Sequence, residues 1–196
     1  MLDHPAGLTD LCLCVVSASM GVHAVRAGWA NGGAGLLLLG AAAGLGAIRF
    51  SLSPAVSPVH ELAVWMATTV GMPLIGADYV RRIRPMIGPR GVGVLVVLAG
   101  VAGSPYGHSA YATVAAAAAM VGVLASSVWI FSPAGIAGAL GVLSAGLALR
   151  PVCEALAVPF VPAYHLSLVV SAALLWRGLV SSQSQPSPKS EPGGAV

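Results

Sequence analysis

The chain has 196 residues, 57% of them hydrophobic and only 8% charged, with a formal net charge of +3. Soluble domains carry about 25% charged residues and clothe themselves in polar side chains, so this composition excludes an ordinary water-soluble domain and places one domain almost wholly in lipid. The basic balance does not indicate nucleic acid, because Arg and Lys fall at the ends of apolar runs, where membrane threading puts them.

The apolar runs predict seven helices. The first spans 8–25, with Thr9 as its expected N-cap and Asp10 in the first turn, where a carboxylate meets the positive end of the helix dipole. The second spans 29–48 and carries Gly40 and Gly44, a GxxxG pair that lets another helix approach closely. Arg49 and Phe50 end it. The third, 58–79, starts at Pro58 with His60 and Glu61, stays uncharged to Ala77, and closes on Asp78, Arg81, Arg82 and Arg84. About 20 apolar residues at about 1.5 Å each cross the roughly 30 Å of hydrocarbon in a bilayer. Pro73 removes a backbone donor within it and is expected to kink it, and Asp78 is spaced to pair with Arg81 or Arg82.

The fourth helix, 91–103, is short for a span. A turn over 104–108 separates it from the fifth, 109–130, which Ser132 and Pro133 break. The sixth, 134–149, is short again and repeats Ala137, Gly141 and Ala145 every four residues, a small-residue packing stripe. Arg150 and Pro151 are expected to end it. The loop 151–162 holds Cys153 and Glu154, and its prolines Pro159 and Pro162 leave room for no more than a helical turn. The seventh helix, 163–180, opens with Tyr164 and His165. The tail 181–196 is rich in Ser, Gln, Pro and Gly and is expected to be a disordered cytoplasmic segment. Cys12, Cys14 and Cys153 form no disulfide framework, and the first residues lack the basic stretch of a cleaved signal peptide.

Charge fixes the expected threading. With the N-terminus outside, Arg26, Arg81, Arg82, Arg84, Arg90, Arg177 and Lys189 lie inside, and Arg49 and Arg150 alone lie outside. Most aromatic residues then fall near the two interfaces, with Trp65 within a span. The expected fold class is therefore all-α: a polytopic integral membrane protein, a seven-transmembrane-helix bundle over 1–180, N-terminus outside and C-terminus cytoplasmic.

This threading collects Asp10, His60, Glu61, His108, Glu154 and His165 at the outer boundary. Three histidines on separate helices, His60, His108 and His165, have the composition of a zinc site that keeps a position open for water. Asp10, Glu61 and Ser109 are the candidate catalytic residues, with Ser104 and Tyr111 as further groups to orient a substrate. The same residues also suit helix ends in water or headgroups, where polar side chains sit at little cost. His165 lies inside the start of a span, where an unpaired polar group is costly, so it is expected to share a pocket with at least one of Asp10, Glu61 or His60. A retinal protein needs a lysine inside a late helix, and the one lysine, Lys189, is in the tail. Interior polar residues are few, notably Ser17, Ser19, Thr68, Thr69, Ser126 and Ser171, which disfavours transport of a polar solute.

The Thr9-Asp10 start of the first helix, with histidines on the third and seventh, resembles the CREST superfamily of membrane hydrolases, which includes alkaline ceramidases and the progestin/adiponectin-receptor group. Leu8-Thr9-Asp10 and Gly46-Ala47-Ile48-Arg49-Phe50 resemble uncharacterised bacterial seven-helix proteins near that superfamily. The resemblance implies zinc held by three histidines, two of them four residues apart on the seventh helix, with Ser and Asp nearby; here His165 is the one histidine of that helix. It implies a metal-dependent hydrolase of a lipid amide or ester in a bacterial plasma membrane, with the bilayer and a lipid substrate as partners. The competing expectation is a non-enzymatic partner-binding or scaffolding bundle that forms an oligomer or docks another protein through its Gly and Ala stripes; a small-solute transporter is a third.

Overall fold

The structure is a computed structural model that describes residues 5–84, 88–103 and 108–181. For some helical residues, His108 and Ser109 among them, it describes the backbone alone. The expected tail beyond Ser181 lies outside the described residues, as does Ser104.

The described residues are almost all helical, with no strand among them. The helices are α1 (Pro5–Arg26), α2 (Ala30–Ser51), α3 (Ser57–Met66), α4 (Met72–Ile83), α5 (Pro89–Gly103), α6 (His108–Trp129), α7 (Pro133–Leu147), α8 (Leu149–Ala155) and α9 (Phe160–Val180). A short 3-10 turn, Pro54–Val56, precedes α3. Lipid offers no partner for a backbone N–H or C=O, so an apolar chain of this kind satisfies its backbone within helices. Four helices are long and apolar enough to cross a bilayer: α1, α2, the Ala110–Trp129 part of α6, and α9. The α7–α8 pair, bent by 61°, makes a fifth if the two count as one span. At about 1.5 Å per residue, the 15 residues of α5 and of α7 each cover about 22 Å.

Local chemistry explains the breaks, and several differ from expectation. Thr9 is not an N-cap. It sits inside α1 and donates its hydroxyl to the carbonyls of Pro5 and Ala6, at 3.1 and 3.0 Å. Asp10 accordingly lies beyond the first turn, buried on the inner face of α1. The disturbance expected at Pro73 is a π turn, Ala67–Gly71, that joins α3 to α4 without interrupting the helical path. Widening the ladder there absorbs the N–H that proline lacks. Pro151 does not end helical structure: α8 runs through it, with the proline in the first turn, where its N–H is not needed. Ser132 does start α7, its Oγ accepting from Gly135 N at 3.3 Å.

Six helical columns close into a ring. In spatial order α2 packs on α1, α1 on α9, α9 on α7, α7 on α6, α6 on α4, and α4 back on α2; α5 lies outside, against α4 and α2. Each column sends side chains to one core, among them Leu13, Leu36, Ile75, Met120, Ala139 and Leu175. The outer face is apolar as well, with Val15, Leu62, Val114 and Val170 exposed, as hydrocarbon surroundings allow. The small-residue stripes serve different neighbours rather than each other. Gly40 lies on the backbone of Cys14 and Ala18 of α1, whereas Gly141 lies over Ser171 of α9. Cys12 is exposed, Cys14 half-buried and Cys153 buried, all as free thiols.

The backbones of α2 and the π turn approach each other closely. A Cβ on Gly35 would strike the carbonyl oxygen of Gly71, and Ile75 would lie 2.8 Å away. The obstacle is backbone and cannot swing aside. Gly35→Ala is expected to cost about 2–3 kcal/mol through forced separation of α2 and α4. A thermal melt of the detergent-solubilised variant matching the parent would contradict this packing.

Candidate functional site

One end of the ring gathers the start of α1, the end of α2, the start of α3 and the start of α9. It holds Asp10, His60 and His165, all lining one cavity of about 260 Å³. Asp10 is 2% exposed. Its Oδ1 lies 3.0 Å from Nδ1 of His165, whose side chain is 15% exposed. The two meet because α1 and α9 are neighbours in the ring, with each residue near the start of its helix. The approach is close but off line for a hydrogen bond, so Asp10 Oδ2 and His165 Nδ1 are buried polar atoms with no aligned partner. Catalytic hydrogen bonds in ligand-free enzymes are commonly in this state and align on binding.

His60 approaches from α3. Its Nδ1 lies 3.1 Å from Nη1 of Arg49. A guanidinium has donors only, so Nδ1 accepts, and the neutral ring carries its proton on Nε2. That Nε2 faces a space left by Gly46: a Cβ there would collide with Asp10 Oδ2 and stand 3.0 Å from His60 Nε2. A donor and an acceptor thus flank one point, open because residue 46 lacks a side chain. Phe50 packs edge-on against the His60 ring at 6.2 Å and fixes its plane, and Arg49 lies 5.4 Å over Phe50.

Glu61 stands apart from the cavity. It is exposed, receives the Ser57 hydroxyl at 3.2 Å, and lies 3.8 Å from Arg49. Glu154 pairs with Arg150 on α8 at 3.0 Å. Tyr111 donates to Ala99 O at 2.7 Å and ties α6 to α5. The side chains of His108 and Ser109 lie outside the described residues. Among the described residues no three of His, Cys, Asp and Glu are placed to share a metal ion.

The cavity wall is otherwise apolar, including Leu13, Leu39, Val64 and Leu168. Thr68, Met72 and Tyr164 also border a second cavity of about 340 Å³ that continues toward α6 and α7. The arrangement sets three polar side chains, Asp10, His60 and His165, in an otherwise largely apolar wall. No protein-family model, curated protein or solved structure matches this chain.

Gly46 and Arg49 are site residues that the sequence pattern did not single out as such. Arg49 did carry a signal: the expected threading makes it one of two arginines outside, against the positive-inside distribution. In the structure its partners are His60 and Glu61.

Proposed function

We propose that the chain is a seven-span membrane protein that hydrolyses a lipid ester or amide at the Asp10 end of the ring. The observation that carries this reading is the 3.0 Å approach of Asp10 to His165 in the wall of an apolar cavity. With its Nδ1–H held toward the carboxylate, the imidazole of His165 keeps a lone pair on Nε2. That nitrogen takes a proton from water as the water oxygen bonds to the substrate carbonyl carbon. The proton then passes from His165 to the leaving alcohol or amine as the C–O or C–N bond breaks. His60 Nε2–H is the donor for the oxygen that gains negative charge. The acyl chain lies among Leu13, Leu39 and Leu168 and reaches the second cavity past Met72 and Tyr164. Among the described residues no three donors converge on one metal ion, and every step above uses the chain's own side chains.

The spans of this reading are α1, α2, the α3–α4 path, α5, α6, α7 and α9, with the Asp10 end outside. Labelling of single cysteines, L2C and S190C in a background without Cys12, Cys14 and Cys153, is expected to come from opposite faces of the membrane. Labelling of both from one face would overturn the threading. The activity is tested with the purified chain in nanodiscs, offered a long-chain p-nitrophenyl ester and an N-acyl amine of matched length. Release of fatty acid is expected. Retention of intact substrate with no release would leave an amphiphile-binding protein and overturn the hydrolase assignment.

A further inference from the structure

The opposite end of the ring holds a second site of different chemistry. A cavity of about 490 Å³ lies there between α4, the α6–α7 turn and the end of α9. Two guanidinium groups from different helices, Arg82 and Arg177, line it together with Ser132 and Ser181. Arg82 is anchored: its Nη1 donates to Gly178 O at 2.7 Å, its Nη2 donates to Leu179 O, and it stacks 4.8 Å from the Trp29 ring. It therefore brings a fixed positive charge to the wall. Arg177 is exposed and makes no ion pair among the described residues. Among the described residues the carboxylate near this end, Asp78, is engaged by Arg81 and by the first turn of α2. Among the described residues the cavity thus carries two cations and no lining acid.

Phe131 lines it and is 89% exposed, with Trp129, two residues earlier in the chain, 74% exposed; Phe131 holds a φ of +52°, a backbone shape that favours glycine. An aromatic side chain displayed from such a turn, beside paired guanidiniums at the end of apolar helices, has the make-up of a membrane–water interface anchor next to an anion site. We propose that this cavity binds the phosphate of an anionic lipid headgroup, with Arg177 as the direct phosphate ligand, Arg82 as a fixed charge behind it, and Phe131 seated among the lipid glycerols. The bound chemistry is a phosphate monoanion. The exposed Phe131 selects the lipid over free phosphate.

Native mass spectrometry of the full chain, released from micelles doped with phosphatidylglycerol or phosphatidylcholine, tests this. One retained phosphatidylglycerol is expected, with phosphatidylcholine retained less by about fivefold or more. Arg177→Gln should lower phosphatidylglycerol retention by about fivefold, and Arg26→Gln, at the same end but outside the cavity, should not change it. Phe131→Gly suits the turn, so it folds, and should weaken lipid retention. Equal retention of the two lipids would overturn the site, as would an R177Q chain that behaves like the parent or an R26Q chain that loses as much as R177Q. Displacement of the lipid by millimolar inorganic phosphate, with F131G matching the parent, would make free phosphate the ligand and overturn the lipid assignment.

Discussion

His165→Ala is expected to lower the proposed fatty-acid release by about a hundredfold or more, the usual contribution of a positioned general base. Asp10→Asn should cost less, about tenfold, because the amide keeps the size of the group but loses the charge that favours the imidazolium in the transition state. Gly46→Ala should also slow the reaction, since the new methyl occupies the point between Asp10 Oδ2 and His60 Nε2. A structural effect has to be separated from a chemical one. Removing His165 alone leaves the Asp10 carboxylate, 2% exposed, without the group beside it, and a buried polar group so stranded costs about 1–3 kcal/mol. Replacing both partners with apolar residues avoids that cost. The double variant D10L/H165L is therefore expected to regain the thermal stability lost in H165A and to remain inactive. An H165A chain with parental turnover would remove His165 from the mechanism. A double variant that regains activity along with stability would make the pair purely structural.

The second large effect lies at the other end of the ring. Asp78→Ala is expected to destabilise the protein by about 3 kcal/mol. Asp78 is fully buried. Its Oδ2 accepts from Gly32 N at 2.7 Å, its Oδ1 accepts from Asn31 Nδ2 at 3.3 Å, and Arg81 Nε lies 3.4 Å away. The side chain thereby caps α2 from a different helix, meeting a first-turn N–H that has no partner within its own helix. Water does not replace it in a buried site, and Arg81 loses the carboxylate beside it. Asp78→Asn retains an acceptor oxygen and should cost about 1 kcal/mol, the scale of a neutral hydrogen bond against a charged one. Thermal denaturation in detergent reads both. A D78A melt within a degree of the parent would show that α2 does not depend on this cap.

These two groups show how far local sequence carries. The pairing of Asp78 with Arg81 follows from a three-residue spacing on one helix and is present. The cap on Gly32, 46 residues away, does not follow from spacing at all. Likewise the sequence brought Asp10, His60, Glu61 and His165 to one depth, because hydropathy fixes where each helix enters lipid. It did not separate Asp10, His60 and His165, which share the cavity, from Glu61, which stays on the rim with Ser57 and Arg49.

By itself the sequence determined that the chain is helical, rich in apolar helices of spanning length, and interrupted at Ser132 and the glycine and proline clusters. Those properties are local: in an apolar chain the backbone groups inside each helix pair within that helix, and composition alone imposes that. Tertiary structure decided the rest. A helix that is apolar on every side carries no stripe to mark its inner face, so the ring order α2–α1–α9–α7–α6–α4 was not legible along the chain. That order is what sets His165 against Asp10 and carries Asp78 to the start of α2. It also places the carbonyl of Gly71 where only a glycine at 35 can face it, because backbones this close leave no volume for a methyl group.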